Sequence, residues 1–261
     1  MYYLKLIWTF FRIGILNEMA YRVNFYVQLL QSLLSLGTAI AGLAIVFSHT
    51  DTLGGWQAVD ILALLGVFMF VGGVIGMVIN PSMSQLMDDV RRGIFDYTLT
   101  KPCDAQFLAS ISQIRLWRLT DILLGAGVLI AALIYRGLDI GPREVLSFAF
   151  VLCTGGSIIY SFWLMLATLT FWFLRIENIL HIFQSMYEAG RWPIGIYPHW
   201  LRYILTFLVP VAFAITVPAE ALSGRLTPES MITSGLLCAV LLVFSRWFWK
   251  RGLKNYSGAS A

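Results

Sequence analysis

The chain has 261 residues, of which 59% are hydrophobic and only 12% charged, far below the share of about 25% usual in soluble domains. That balance excludes a soluble globular enzyme, and the length leaves room for one bundle of membrane helices without a second folded domain. The net charge of +4 does not point to nucleic acid, because the basic residues flank apolar runs and form no face of their own.

Residues 1–21 are apolar but interrupted by Lys5, Arg12, Asn17 and Glu18, so they should not span. Leu4, Ile7, Trp8, Phe11, Ile15 and Met19 recur at helical spacing. This predicts an amphipathic helix lying in the membrane interface, with Tyr2, Tyr3 and Trp8 at headgroup level. Six long apolar runs follow, at 23–47, 58–79, 119–135, 145–173, 201–222 and 231–249. Each is long enough to cross a hydrocarbon layer about 30 Å thick at about 1.5 Å per residue. The expected fold is therefore all-α, a single integral membrane domain of six transmembrane helices over residues 1–261.

With the amino terminus placed inside, all but three of the 18 lysines and arginines lie on one side, Arg191 and Arg202 among them. Only Arg136, Arg143 and Arg225 fall on the other, which orients both termini to the cytoplasm of a multi-pass plasma (bacterial inner) membrane protein. The outer loops at 48–57, 136–144 and 223–230 are short and carry breakers such as Gly54-Gly55 and Gly141-Pro142. The long connections, 80–118 and 174–200, are expected inside.

Within the first of them, Asn80-Pro81-Ser82 reads as a helix start, with Asn80 as the capping side chain and proline at the first helical position. Met83, Leu86, Met87, Val90 and Ile94 make an apolar face, and Asp88, Asp89, Arg91 and Arg92 a charged one. Asp88 and Arg92 sit four apart and can pair. Gly93 is placed to end the helix in the left-handed conformation, and Pro102 breaks the chain again before a second helix.

Several chemistries are absent. No lysine follows the glycine-rich pattern of a phosphate loop, no Gly-x-Ser-x-Gly elbow occurs, and His49, His181 and His199 are too far apart for a zinc helix. Cys103, Cys153 and Cys238 are widely spaced and read as reduced packing residues. No catalytic or metal site is expected. Asp60, Asp121, Glu177 and Glu220 fall at predicted span ends where water reaches them, which leaves span centres nearly free of ionisable groups. Ion-coupled carriers usually hold such groups within their spans, so energy should come from elsewhere.

At Asp89-Val-Arg-Arg-Gly-Ile-Phe-Asp-Tyr-Thr-Leu-Thr-Lys-Pro the chain resembles the six-span permeases of type-2 ATP-binding-cassette (ABC) transporters. More narrowly, it is similar to a subgroup whose loop reads basic-x-Gly-x-x-Asp-x-x-Leu-x-(Arg/Lys)-Pro. Arg191-Trp-Pro-Ile-Gly-Ile-Tyr-Pro and Val217-Pro-Ala-Glu-Ala-Leu extend the match over nearly the whole chain. The resemblance implies an interfacial elbow helix at the amino terminus and a cytoplasmic coupling helix between spans two and three. It also implies a second permease subunit, identical or homologous, and two cytosolic ATPase subunits that hold the ATP and Mg; this chain binds no cofactor itself. Asp88, Arg91, Arg92, Gly93, Asp96, Lys101 and Pro102 would form the ATPase-coupling interface.

The expected function is ATP-driven export of a hydrophobic or amphiphilic small molecule of the drug or toxic-compound type. Gln28, Gln31, Phe68, Met69, Phe162, Met165, Pro210 and Pro218 are candidates for its path, the two prolines because they kink the fifth span. Gly72 and Gly76 form a pair that would let another helix approach closely. A lipid translocator of the same architecture and a passive channel or structural subunit remain alternatives, and the surrounding lipids are partners in every case.

Overall fold

The structure, a computed structural model, describes residues 2–20, 22–137, 141–173, 176 and 178–256. Arg175 and Glu177 lie outside the described residues, as do the side chains of Tyr2, Glu18 and Met19. Among the described residues every regular element is helical. Helix α1 (Tyr2–Ala20) leads into α2 (Arg22–Phe47), and α3 (Ala58–Val74) follows a tight loop. A π-helical turn, Ile75–Ile79, carries α3 straight into α4 (Asn80–Arg91), and two short helices follow, α5 (Asp96–Leu99) and α6 (Ala105–Ser110). Then come α7 (Leu119–Arg136), α8 (Pro142–Thr168), α9 (Ile179–Glu188), α10 (His199–Tyr203), α11 (Val217–Leu222) and α12 (Pro228–Leu253). Among the described residues five helical stretches are long and apolar enough to cross a membrane, or six if the bent pair 199–222 is counted as one span.

The predicted start at Asn80 is corrected. Residues 58–91 form one helical stretch, and the Asn80 side chain caps nothing; its Oδ1 accepts from Ser84 Oγ at 3.2 Å. Proline is tolerated at Pro81 for a traceable reason. Its missing N–H would have paired the carbonyl of Met77, and that carbonyl instead accepts the Arg115 N–H at 2.8 Å. The chain entering α7 thus satisfies the group that Pro81 leaves open.

Helices α3 and α7 are the most closely packed pair. A Cβ added at Gly66 would lie 2.8 Å from Leu129 N, at Gly73 2.8 Å from Ile122 N, and at Gly125 2.8 Å from Gly66 O. These three glycines carry the backbone approach. The Gly72 and Gly76 pair does something else: Gly72 receives the Tyr187 ring and Gly76 the Arg118 side chain.

The largest departure from expectation concerns residues 178–222. Leu180 and His181 lie beside Asn80, Asp88 and Arg91, at the end of the bundle that carries α4 to α6, the platform end. Tyr187 stacks on Phe68 at 5.1 Å between ring centres, and Ile196 reaches Gly54 in the loop between α2 and α3 at the far end. Residues 180–196, expected to lie within an internal connection, therefore run through the bundle from one end to the other.

The predicted span 201–222 is correspondingly broken. Residues 199–208 and 212–222 meet at 80°. Arg202 donates to the Gly195 carbonyl, and Ser223 O accepts from Arg136 at 3.0 Å, so both limbs meet the far end. The two ends of the pair therefore lie on the same side of the bundle. Val209 is extended at the break, where Pro210 cannot continue a helix.

Candidate transport cavity and docking platform

At the far end, Asp60 is 2% exposed and bonded to both Arg136 and Arg225, the latter at 3.0 Å. The expectation that water reaches Asp60 is therefore wrong. Arg136 and Arg225, two of the basic residues expected on the minority side, are thus held by one buried carboxylate, and Arg202, expected on the other side, joins them at this end through the Gly195 carbonyl. Asp121, near the start of α7, accepts from Ser32 Oγ at 2.5 Å and pairs Arg118 at 2.8 Å, which ties α2 to the bundle.

Between α2, α3, α7 and α9 lies a cavity of about 250 Å³. It is lined by Gln28, Gln31, Ser32, Ser35, Phe68, Met69, Gly72, Gly73, Arg118, Asp121, Gln184, Tyr187, Glu188 and Arg191. Arg191 pairs Glu188 at 2.9 Å and lies 5.4 Å from the centre of the Phe68 ring. The buried Tyr187 hydroxyl donates to the Phe68 carbonyl at 2.8 Å, which fixes the aromatic shelf. A second cavity of about 170 Å³ continues along α2 past Thr38, Ala39, Gly42 and Leu43, with Ile61, Leu65 and Trp192 opposite, and shares Arg191.

Of the sequence-predicted path residues, Gln28, Gln31, Phe68 and Met69 share the first cavity. Phe162 packs on Phe183 at 4.9 Å, and Met165 lies against the main apolar core; neither lines these two cavities. Pro210 and Pro218 are buried in the bent pair, away from both. Residues Gln184, Glu188 and Arg191 were missed because their segment was read as a connection. This also overturns the inference that the bundle interior lacks charge: two ion pairs border the cavity. Among the described residues no group of three or more His, Cys, Asp or Glu could hold a metal.

At the platform end, Asp88 pairs both Arg91 at 2.5 Å and Arg92 at 2.8 Å. Gly93 takes φ = 70°, the left-handed geometry that ends α4. The chain then turns Phe95 inward, 1% exposed, against Phe171, Trp249 and Tyr256 at 5.6–6.1 Å between ring centres. Around this anchor, Ile94, Tyr97 and Leu99 stay exposed, Tyr97 at 73%, together with Arg91, Arg92, Lys101 and Pro102; Asp96 is half-buried. A cavity of about 390 Å³ opens beside Asp88 and Arg91.

A polar cluster ties this platform to the long helices. Asp104 caps α6 through the Phe107 N–H at 3.1 Å and is bonded to Arg246 on α12. Gln106 accepts from Arg246 at 2.6 Å, and Ser110 bonds Tyr160 on α8 at 2.7 Å. The Arg246 hydrogen bond holds the Asp104 carboxyl below the usual carboxylate range, against burial that opposes it. A depressed folded value means that the contribution is present above an unfolded value of about 3.9 and is lost as pH falls through the depressed one. Asp104 is 37% exposed, so screening limits it to about 0.2–1 kcal/mol. Melting of the detergent-solubilised protein between about pH 6 and pH 3 should show a small acid-side loss of stability that Asp104→Asn removes.

Long apolar helices, with a polar cavity between them and a platform of short helices at one end, mark a multi-pass membrane protein. The family model described as ABC-2 family transporter protein matches residues 33–260, and the chain belongs to that family. No curated protein and no solved structure matches it. Membership makes the chain the membrane permease of a transporter and implies an ABC ATPase partner.

Proposed function

We propose that the chain is the permease of an ATP-driven exporter that moves a hydrophobic or amphiphilic small molecule out of the cytoplasm. Two copies, or one copy and a homologue, pair in the membrane, and two cytosolic ATPase subunits dock on the platform. The basic residues clustered at the platform end support placing that end, and both termini, in the cytoplasm. The bent pair 199–222 is then a re-entrant hairpin on the outer side, and the α1 helix an interfacial elbow.

The observation that carries this reading is the alternation at 94–97. Ile94 and Tyr97 are exposed on a segment whose Phe95 is locked into the ends of α8 and α12. Such a segment offers an apolar contact ringed by Arg91, Arg92 and Lys101 while being rigidly joined to long helices. A partner that moves it moves the helices. Closure of the ATPases on ATP would therefore bias the bundle between inward-open and outward-open arrangements.

The test uses the permease with the ATPase that co-purifies with it, in proteoliposomes. Gly93→Val places a β-branched residue at φ = 70° and should displace the 94–97 turn. We expect permease-dependent ATP hydrolysis to fall at least about tenfold, with helix content unchanged by circular dichroism; a partner interaction lost at its centre is commonly worth about 2 kcal/mol or more. Tyr97→Ala should weaken co-purification without disturbing the bundle, because that side chain touches solvent rather than core. Unchanged ATPase coupling in both variants would remove the platform from the mechanism.

A further inference from the structure

The two cavities along α2 form one groove whose chemistry changes from end to end. Gln28 and Gln31 on α2 face Gln184 and Arg191 in the first cavity, while Gly42 on α2 faces Leu65 and Trp192 in the second. Positions 28, 31, 35, 38 and 42 of α2 recur at helical spacing, so a single face of one helix lines both. Arg191 stands at the junction.

Two polar atoms there are buried and, among the described residues, unpartnered: the Gln184 Oε1 acceptor and the Arg191 Nε donor. Buried polar groups normally find partners, and these two ask for opposite ones. The charges at the polar end, Arg118 with Asp121 and Arg191 with Glu188, cancel in pairs. The polar cavity, about 250 Å³, has room for a small polar head.

We propose that this groove binds an amphiphile by both ends: a net-neutral polar head offering a donor to Gln184 and an acceptor to Arg191, and an apolar tail running past Gly42 and Trp192. This deepens the exporter reading above and rests on it for the direction of movement. A purely apolar molecule would leave both buried groups unpaired, and a singly charged head would face an ion-paired, neutral wall. With the amino-terminal end of α2 in the cytoplasm, the head lies toward the inner leaflet.

The experiment uses the full chain in nanodiscs of anionic lipid and follows quenching of tryptophan fluorescence. The probes are lysophosphatidylcholine with a dibrominated acyl chain, lysophosphatidic acid with the same chain, and the brominated hydrocarbon without a head. The signal from the groove is the part lost in Trp192→Phe.

We expect saturable Trp192 quenching by the zwitterionic probe, weaker binding of the anionic one and no saturation by the hydrocarbon. Gln184→Leu should raise the dissociation constant about tenfold. Gly42→Leu should do the same by filling the tail region, and it should fold normally, since nothing lies within 4 Å of an added Cβ there. Equal binding of the hydrocarbon, or unchanged binding in both variants, would overturn the proposal. ATP hydrolysis by the complex is scored separately: coupling without probe binding rejects the groove alone, and probe binding without coupling rejects the exporter reading alone.

Discussion

Replacing Gly125 by leucine is expected to leave no folded protein that survives extraction into mild detergent. A Cβ at this position runs into the main chain of α3: Gly66 O at 2.8 Å, Met69 C at 3.0 Å, and the Phe70 nitrogen closer still. No rotamer change can relieve a clash with main chain, so α3 and α7 would have to separate. That separation would also pull apart the approaches at Gly66 and Gly73 and the Asp60–Arg136 pair at the helix ends. Overpacking of a core costs about 1–3 kcal/mol when side chains can give. Here only backbone can move, and the loss should exceed about 3 kcal/mol, a large share of a typical total of about 5–15 kcal/mol. Gly127→Leu is the internal control, two residues along the same helix, with nothing within 4 Å of an added Cβ. Size-exclusion profiles and melting curves of the two variants decide the matter. If Gly125→Leu elutes and melts as Gly127→Leu does, the close packing of α3 on α7 is wrong.

Much of the helix layout was legible because lipid is an undemanding reader: a long run of apolar residues is needed to cross it, whatever the run packs against. Gly93 was legible for a different reason, since few residues other than glycine end a helix with positive φ. Crossing of the bundle by residues 179–196 was not. Gln184, Glu188 and Arg191 lower the hydropathy of that segment, yet they face a polar cavity and one another rather than hydrocarbon. Hydropathy counts residues without knowing which face they occupy, so a short amphipathic crossing looks like a loop. Gly72 and Gly76 illustrate the same limit. Their spacing matches a helix-packing motif, but α7 approaches the face carrying Gly66 and Gly73. Phe95 was invisible too, because nothing local distinguishes a phenylalanine that anchors a platform from one that faces lipid. Its partners, Phe171, Trp249 and Tyr256, come from distant parts of the chain.

Asp60→Asn should produce a large stability loss without adding bulk or opening a cavity. The Asp60 carboxylate accepts from Arg136, 76 residues away in sequence, and from Arg225, 165 residues away. Each arginine is itself a clasp. Arg136 also donates to the Ser223 carbonyl at 3.0 Å, while Arg225 donates to the Gly55 carbonyl at 2.7 Å and lies 5.0 Å from the centre of the Trp56 ring. One acid thus gathers the start of α3, the end of α7 and the loops before α3 and α12. Asparagine keeps the shape but leaves two guanidinium groups converging on a neutral amide. Breaking a buried pair by removing one partner costs about 3–5 kcal/mol, and the lower end applies because both arginines still reach solvent. A drop in Tm on the order of 5–10 °C follows. Adding Arg225→Gln to Asp60→Asn should restore part of that loss, since the double variant removes a repulsion that the single one exposes. A melting temperature for Asp60→Asn within about 1 °C of wild type would mean that this carboxylate is hydrated after all, as its place near the end of an apolar run implied.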